Sequence, residues 1–374
     1  MIKTLKISNF TVFGNVEFSF SPGLNVIVGE NGTGKTHVLK LGYLFSRAWP
    51  DLMAKRLHMT SQRAETYLAE RLAGLFQVSN LTALTHKNHP RACVQAEVGG
   101  YIPTVQIRMP QEPPFLAPGL TEGMPWEVQI ERQSSGADGL KAITVPEGAA
   151  QNAFMPQQVF VPSKEIVSLF KGLVALFDKY RNFPLDETYR DLAVSMSALE
   201  LQQAPLLDAE VMQKIEAVLG GKLKLDDGDL VFERQDGSLL EVPLMAEGHR
   251  KLALLIYLLR YGVLEVGSTL FWDEPEANLN PAAGKLLAAA LHLLTKLGVQ
   301  VVLTTHSYFL LKELDLLARQ NPVPLRFMGL SKTEEGIVLQ QADSLLGLDH
   351  IVALDEELAQ YDRELQNAQR QVHG

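Results

Sequence analysis

Apolar and polar residues alternate in two short bursts at the start of this chain, Leu5-Lys6-Ile7-Ser8-Asn9-Phe10 and Val16-Glu17-Phe18-Ser19-Phe20, with Gly14-Asn15 between them. A period of two broken by a glycine–asparagine pair predicts a β-hairpin turning at Gly14-Asn15. Leu24-Asn25-Val26-Ile27-Val28 is apolar at four of five positions, the pattern of a strand buried on both faces. A helix is expected over 34–47 and another over 51–76, then strands over 92–109 and 126–145 separated by a proline-rich loop at 110–125. A strand at 158–161 precedes a helical stretch at 166–219, interrupted at Asn182-Phe183-Pro184. Short strands near 222–225, 230–233 and 239–242, joined by Asp227-Gly228 and Asp236-Gly237, read as a meander. An apolar helix at 248–264 runs into a buried strand at 268–272, and a helix at 281–297 into a strand at 299–304 that is apolar except at Gln300. A strand pair near 325–330 and 336–340 and a helix after His350 complete the pattern. In that last helix Leu354, Leu358, Tyr361, Leu365 and Ala368 form a heptad-like seam of two repeats, too short for a coiled coil.

Length and composition then narrow the class. The 374 residues, 46% of them hydrophobic, suit two domains or one large α/β domain with insertions. With 34 basic against 43 acidic residues the net charge is −9, so any contact with nucleic acid needs a local patch. Cys93 is the single cysteine, which excludes an intramolecular disulfide and fits a reducing interior. Residues 1–7 lack the apolar core of a signal peptide, and the run at 252–266 is interrupted by Arg260 and too short to span a bilayer. The expectation is a soluble, cytoplasmic protein without a membrane partner.

The chemistry begins where the buried strand ends. Gly29-Glu30-Asn31-Gly32-Thr33-Gly34-Lys35-Thr36 matches the P-loop pattern at every fixed position. Gly29, Gly32 and Gly34 allow the loop, with Asn31 and Thr33, to turn its amides toward a polyphosphate. Lys35 supplies a point charge to the β- and γ-phosphates, Thr36 a hydroxyl to Mg²⁺, and the following helix its positive end. The strand at 268–272 ends in Asp273-Glu274-Pro275-Glu276, and an acidic pair there is costly unless a cation sits beside it. This is a Walker B pattern. Thr305-His306-Ser307 follows another buried strand, which puts His306 on the edge of a parallel sheet where Lys35 and Asp273 lie. Asp227 and Asp229 are better explained by hairpin chemistry than as a metal-binding pair. His86-Lys87-Asn88-His89-Pro90-Arg91 and His249-Arg250-Lys251 are the candidate basic contacts for nucleic acid, the first reading better as a solvated loop and the second having the alternative of facing a partner's nucleotide.

The combination of Lys6-Ile7-Ser8-Asn9-Phe10, the P-loop, Glu247-Gly248 ahead of a helix, the Walker B tetrad, Asn278-Leu279-Asn280-Pro281 and Thr305-His306-Ser307 resembles the ABC-type ATPase heads of the Rad50, SMC and RecF group. It is nearest to stand-alone AAA-type ATPases of the overcoming-lysogenization-defect class. The resemblance covers roughly residues 1–340. It implies an α/β P-loop NTPase head with an antiparallel β subdomain and an inserted helical lobe. The expected division is 1–165 for the first half of the head, 166–244 for the helical lobe and meander, 245–345 for the second half, and 346–374 for a C-terminal helix.

The resemblance also assigns roles. ATP and Mg²⁺ are the implied ligands, with Thr36 and Asp273 on the metal and Lys35, Glu274 and His306 catalytic, Glu274 polarising water and His306 acting as the switch histidine. The segment 245–249 stands at the signature motif, so Glu247 and Gly248 would meet the ATP of a second copy in a head-to-tail dimer or higher even oligomer, and 278–281 would be the D-loop. Ala246 replaces the usual signature serine. Gln157 and Gln158 precede their strand, which leaves Ser163 or Glu165 for the Q-loop role. Lys35 and Asp273 lie 238 residues apart, RecF-like proportions without a heptad arm, and no N-K-x-D follows Walker B to suggest a GTPase. The implied function is an ATP-driven switch acting on DNA or a DNA-linked partner, in anti-phage defence or DNA repair. The alternatives are an ATP-gated module controlling a separate toxin or nuclease and, less favoured, a transporter ATPase subunit.

Overall fold

The computed structural model describes residues 1–54, 61–98, 104–108, 156–170, 172–180, 183–197, 216, 220–226, 229–349, 351, 354–356, 359–360 and 363–364. Strands β1 (Ile2–Phe10) and β2 (Phe13–Ser19) form the opening hairpin. Its turn is Thr11-Val12, not Gly14-Asn15, because the ladder continues until Phe10 faces Phe13, and both rings are fully buried. Burial of two aromatic side chains outweighs a glycine's turn preference, and Thr11 tolerates a φ of +48° with its amide donating to Leu84 O at 2.7 Å.

Strand β3 (Leu24–Gly29) leads into helix α1 (Lys35–Ala54), which passes Arg47 and Pro50, and then into α2 (Ser61–Phe76). The strand expected over 92–109 is two, β4 (Arg91–Val98) and β5 (Thr104–Arg108). After β6 (Gln158–Val161) the helical stretch contains α3 (Leu173–Lys179) and α4 (Glu187–Ser197). The meander is β7 (Gly221–Asp226), β8 (Asp229–Arg234) and β9 (Leu239–Glu241). Helix α5 (Glu247–Arg260) precedes β10 (Thr269–Asp273), α6 (Pro281–Lys296) and β11 (Gln300–Thr305). Helix α7 (Tyr308–Gln320), β12 (Leu325–Thr333) and β13 (Gly336–Ala342) follow. The sequence reading omitted α7, although Ser307 caps it by accepting from Leu310 N and its Leu310, Leu311 and Leu314 are fully buried. The strand expected at 126–145, the loop at 110–125, the Asp227-Gly228 turn and most of 198–219 lie outside the described residues, as do four of the five seam positions.

The central sheet has the order β13-β12-β3-β11-β10-β6, parallel throughout except for β13 at one edge. Its inner strands alternate between two cores. Leu24, Val26, Val28, Leu270, Trp272, Val301 and Leu303 face the helices α4 to α7, while Ile27, Phe271 and Val302 face α1, α2 and the antiparallel sheet β2-β1-β4-β5. A period of two with apolar residues on both sides is what a sheet covered on both faces requires. The polar exceptions act as ties. Gln300 accepts from Ile2 N and Thr269 Oγ1 and donates to Ile2 O and Ser21 O, all within 3.1 Å, fastening the antiparallel sheet to the parallel one. Asn25 accepts from Ser21 N and donates to Val301 O, so both buried amides are satisfied.

Candidate functional site

Strands β3, β10 and β11 are hydrogen-bonded neighbours in parallel register, so the loops at their C-terminal ends meet on one edge of the sheet. The glycine loop closes on itself. Lys35 Nζ donates to Gly29 O and Glu30 O at 2.9 Å each, and Thr33 Oγ1 donates to Glu30 O at 2.8 Å. Gly34 has a φ of +91°, and a Cβ there would lie 2.5 Å from the Phe13 ring, so the buried hairpin ring dictates glycine at the helix start. Lys35 is only 6% exposed. Its ammonium is lowered from its ordinary range by burial, against the opposing pull of Glu274, Asp273 and Glu276.

Thr36 and Asp273 meet across 237 positions of sequence, the hydroxyl 3.1 Å from each carboxylate oxygen. Asp273 Oδ1 also accepts from Thr304 Oγ1 at 2.6 Å, and Thr304 Oγ1 in turn accepts from Glu274 N at 3.1 Å. The Asp273 carboxyl is pushed up by burial first of all, with hydrogen bonds from Thr304 and Thr36 pulling the other way and the Glu274 charge adding to the rise. The buried carboxylate, whose charged form is disfavoured, would gain from a cation beside it, and the buried ammonium from the phosphates that carry that cation. Among the described residues no group of three or more His, Cys, Asp and Glu side chains could hold a metal ion. One hydroxyl and one carboxylate suit Mg²⁺, which takes its remaining ligands from water and phosphate.

Glu274 has a φ of +49°, an uncommon conformation for a residue with a side chain. Its carboxylate is 37% exposed and lies 3.2 Å from His306 Nε2, itself 38% exposed, so the pair faces solvent where a water could approach. Lys251, 3% exposed, reaches the same loop from α5 and donates to Glu274 O at 3.4 Å and Ala277 O at 3.0 Å. It therefore turns inward and does not face a partner, a correction to the sequence reading. Arg250 pairs instead with Glu165 at 3.1 Å, and His249 alone of the three is exposed. Glu165 also accepts from Ser168 N and Oγ, and Gln158 donates to Pro156 O at 2.8 Å, so both side chains are engaged by neighbours in sequence.

The segment 245–249 abuts the segment 278–281 of its own chain. Asn278 Nδ2 donates to Glu247 Oε1 at 2.8 Å, and a Cβ on Gly248 would lie 2.6 Å from Leu279 Cδ2 and 3.1 Å from Asn278 O. Ala246 stands exposed at the N-cap of α5 with no side-chain cap. Three participants were not assigned from sequence: Thr304, Lys251 and the hydrogen-bonding role of Glu276. Thr304 ends an apolar strand, Lys251 precedes an apolar helical run and Glu276 stands in the acidic tetrad, and none of these patterns tells what the side chain bonds.

Two family models match the chain. One, described as "AAA domain, putative AbiEii toxin, Type IV TA system", spans residues 192–312 and so contains the segment from α5 to His306. The other, an AAA domain, spans residues 4–40, the hairpin and glycine loop. The DNA replication and repair protein RecF of Streptococcus uberis is 32% identical over 114 residues, covering 28% of this chain and 30% of that protein. RecF of Idiomarina loihiensis is 49% identical over 43 residues, 12% of each chain. The matches thus span less than a third of these relatives. Among solved structures, an Smc head bound to the C-terminal winged-helix domain of ScpA superposes with a TM-score of 0.54 at 16% identity, covering 92% of this chain and 98% of that one. The Pyrococcus furiosus Smc head with an extended coiled coil, bound to the C-terminal domain of ScpA, gives 0.50 at 14% identity, covering 98% and 99%. A P-loop and an acidic strand end joined on a sheet of the Smc-head fold, with the AAA-domain matches and the partial sequence similarity to RecF, support an ABC-type ATPase of the Rad50, SMC and RecF group.

Proposed function

We propose that this chain binds and hydrolyses Mg-ATP and uses the cycle to close and open a head-to-tail dimer acting on DNA or a DNA-linked partner. The observation that carries the reading is the Thr36–Asp273 contact, which joins the P-loop to the second acidic motif. Lys35 and the amides of 29–36 would hold the triphosphate, the lysine exchanging two carbonyl partners for phosphate oxygens. Mg²⁺ when bound would neutralise charge developing on the phosphates, and Thr36 and Asp273 would hold it. Glu274 would orient the attacking water and take its proton, with His306 beside it toward the γ-phosphate. Residues 1–165 and 245–345 would form the head, 166–244 the inserted lobe and meander, and 346–374 a C-terminal helix.

Glu274→Gln should keep ATP binding and slow turnover by about 10²- to 10⁴-fold, the usual loss for a general base. Thermal shift with Mg-ATP and phosphate release read the two effects separately, and turnover near the parent's would remove Glu274 from the role. The description of the family model over 192–312, which names a putative toxin, supports a second reading, in which the ATP state gates a separate toxin or nuclease. DNA binding by the purified chain alone separates the two.

A further inference from the structure

Glu276 lies two residues beyond Glu274, and the roles above leave it without work, yet its carboxylate is held in place. Oε1 accepts from Thr305 Oγ1 at 2.6 Å, His306 N at 2.9 Å and Ser307 N at 3.3 Å. Oε2 is buried without a hydrogen-bond partner. The three donors belong to the last residue of β11, the switch histidine and the N-cap of α7. A carboxylate at such a helix start is stabilised by the unpaired amides and the positive end of the helix. One side chain therefore pins the β11–α7 turn to the loop that follows β10. The 3.2 Å approach of His306 to Glu274 spans those same two loops, and Lys251 holds the second of them from its other side.

We propose that Glu276 is a positioning residue for hydrolysis, its carboxylate holding the His306 turn in register with Glu274. The proposal rests on the ATPase reading. It also removes Glu276 as a substitute base, because one oxygen is occupied by three donors and the other is shut away from water.

The test compares Glu276→Gln with Glu276→Ala. The glutamine retains an amide oxygen for the same donors, so its turnover should stay within about 5-fold of the parent's, whereas alanine should lower kcat by about 10- to 100-fold with the KM for ATP within about 3-fold, as expected when reacting groups are displaced by about an ångström. In the nucleotide-free protein, hydrogen exchange at the His306 and Ser307 amides should accelerate in Glu276→Ala and remain slow in Glu276→Gln. Equal inactivity of both variants with exchange slow in both would mean that charge, not the held turn, matters, and would overturn the proposal. Parental kcat in Glu276→Ala would overturn it as well. A parent that hydrolyses no ATP would overturn the ATPase reading and the catalytic consequence with it. The exchange measurement would then still decide whether Glu276 pins the turn.

Discussion

Asp273 sits at the end of a fully buried strand with its carboxyl held above the usual range by burial. Its folded value lies above its unfolded one, so its ionisation opposes folding at neutral pH. Asp273→Asn keeps an oxygen for Thr304 and Thr36 and should leave the nucleotide-free protein at least as stable as the parent while abolishing the stabilisation by Mg-ATP; thermal melts with and without ligand measure both. Lys35→Ala should likewise abolish the ligand-induced shift. Because this lysine is buried and bonded, the shift and not the absolute midpoint is the test. His37 gives a pH dependence. Burial, with Lys40 adding, pulls its imidazole down to about 4, and its Nδ1 lies 2.9 Å from Thr11 Oγ1. Between its ordinary value of about 6.5 and about 4 the unfolded chain takes up a proton that the folded protein does not, so this contribution is complete above the window and is lost as pH falls through it. Urea unfolding from pH 7 to 4.5 should show a shallower loss of stability in His37→Gln; parallel curves would contradict the assignment. At this scale the meeting of Lys35, Thr36, Asp273, Glu274 and His306 on one sheet edge was legible, because each follows an apolar strand that ends there. Thr304, Glu276 and Lys251 were not, since their roles exist only where distant loops meet.

Helix α4 joins the head through charge. Tyr43 Oη donates to Asp191 Oδ2 at 2.8 Å, Arg47 Nη1 donates to Tyr43 Oη at 2.6 Å, and Arg71 bridges Asp191 and Glu187, tying α1, α2 and α4 together. Tyr43 packs against Phe160 and Phe271 of the central sheet, so the network reaches the strand that carries Asp273. Arg71→Met leaves Asp191, 5% exposed, without its nearest cation and should cost about 3 kcal/mol by urea unfolding, the range for breaking a buried pair. Adding Asp191→Asn should recover a large part of it, and two additive losses would contradict a coupled network. Most elements of the parallel sheet were legible from their periods, because a strand buried on both faces leaves little choice of sequence. The hairpin turn was misplaced because Phe10 and Phe13 are both buried, Phe10 against Phe76 and Phe13 beside Gly34 of the P-loop, contacts with no local signal. Helix α7 was legible in principle and overlooked beside the motif that precedes it.

Across the whole molecule, the proposed dimer asks the exposed N-terminus of α5 to cover a second copy's triphosphate. Among the described residues no helix is long and apolar enough to cross a membrane. Gly248 is the wrong place to challenge the interface, since any side chain there meets Leu279 and Asn278 of the same chain. Ala246 is exposed and uncapped. Aspartate and serine would both cap the helix and preserve the fold, but only aspartate sets a negative charge against the phosphates, a repulsion of several kcal/mol in a poorly hydrated interface. The most direct measurement is light scattering of the Glu274→Gln protein with Mg-ATP, alone and combined with Ala246→Asp or Ala246→Ser. Glu274→Gln and the serine combination should each have the mass of two or a higher even number of chains, and the aspartate combination that of a monomer. An ATP-loaded protein that stays monomeric, or one that assembles equally with the Ala246→Asp substitution added, would contradict the proposed dimer.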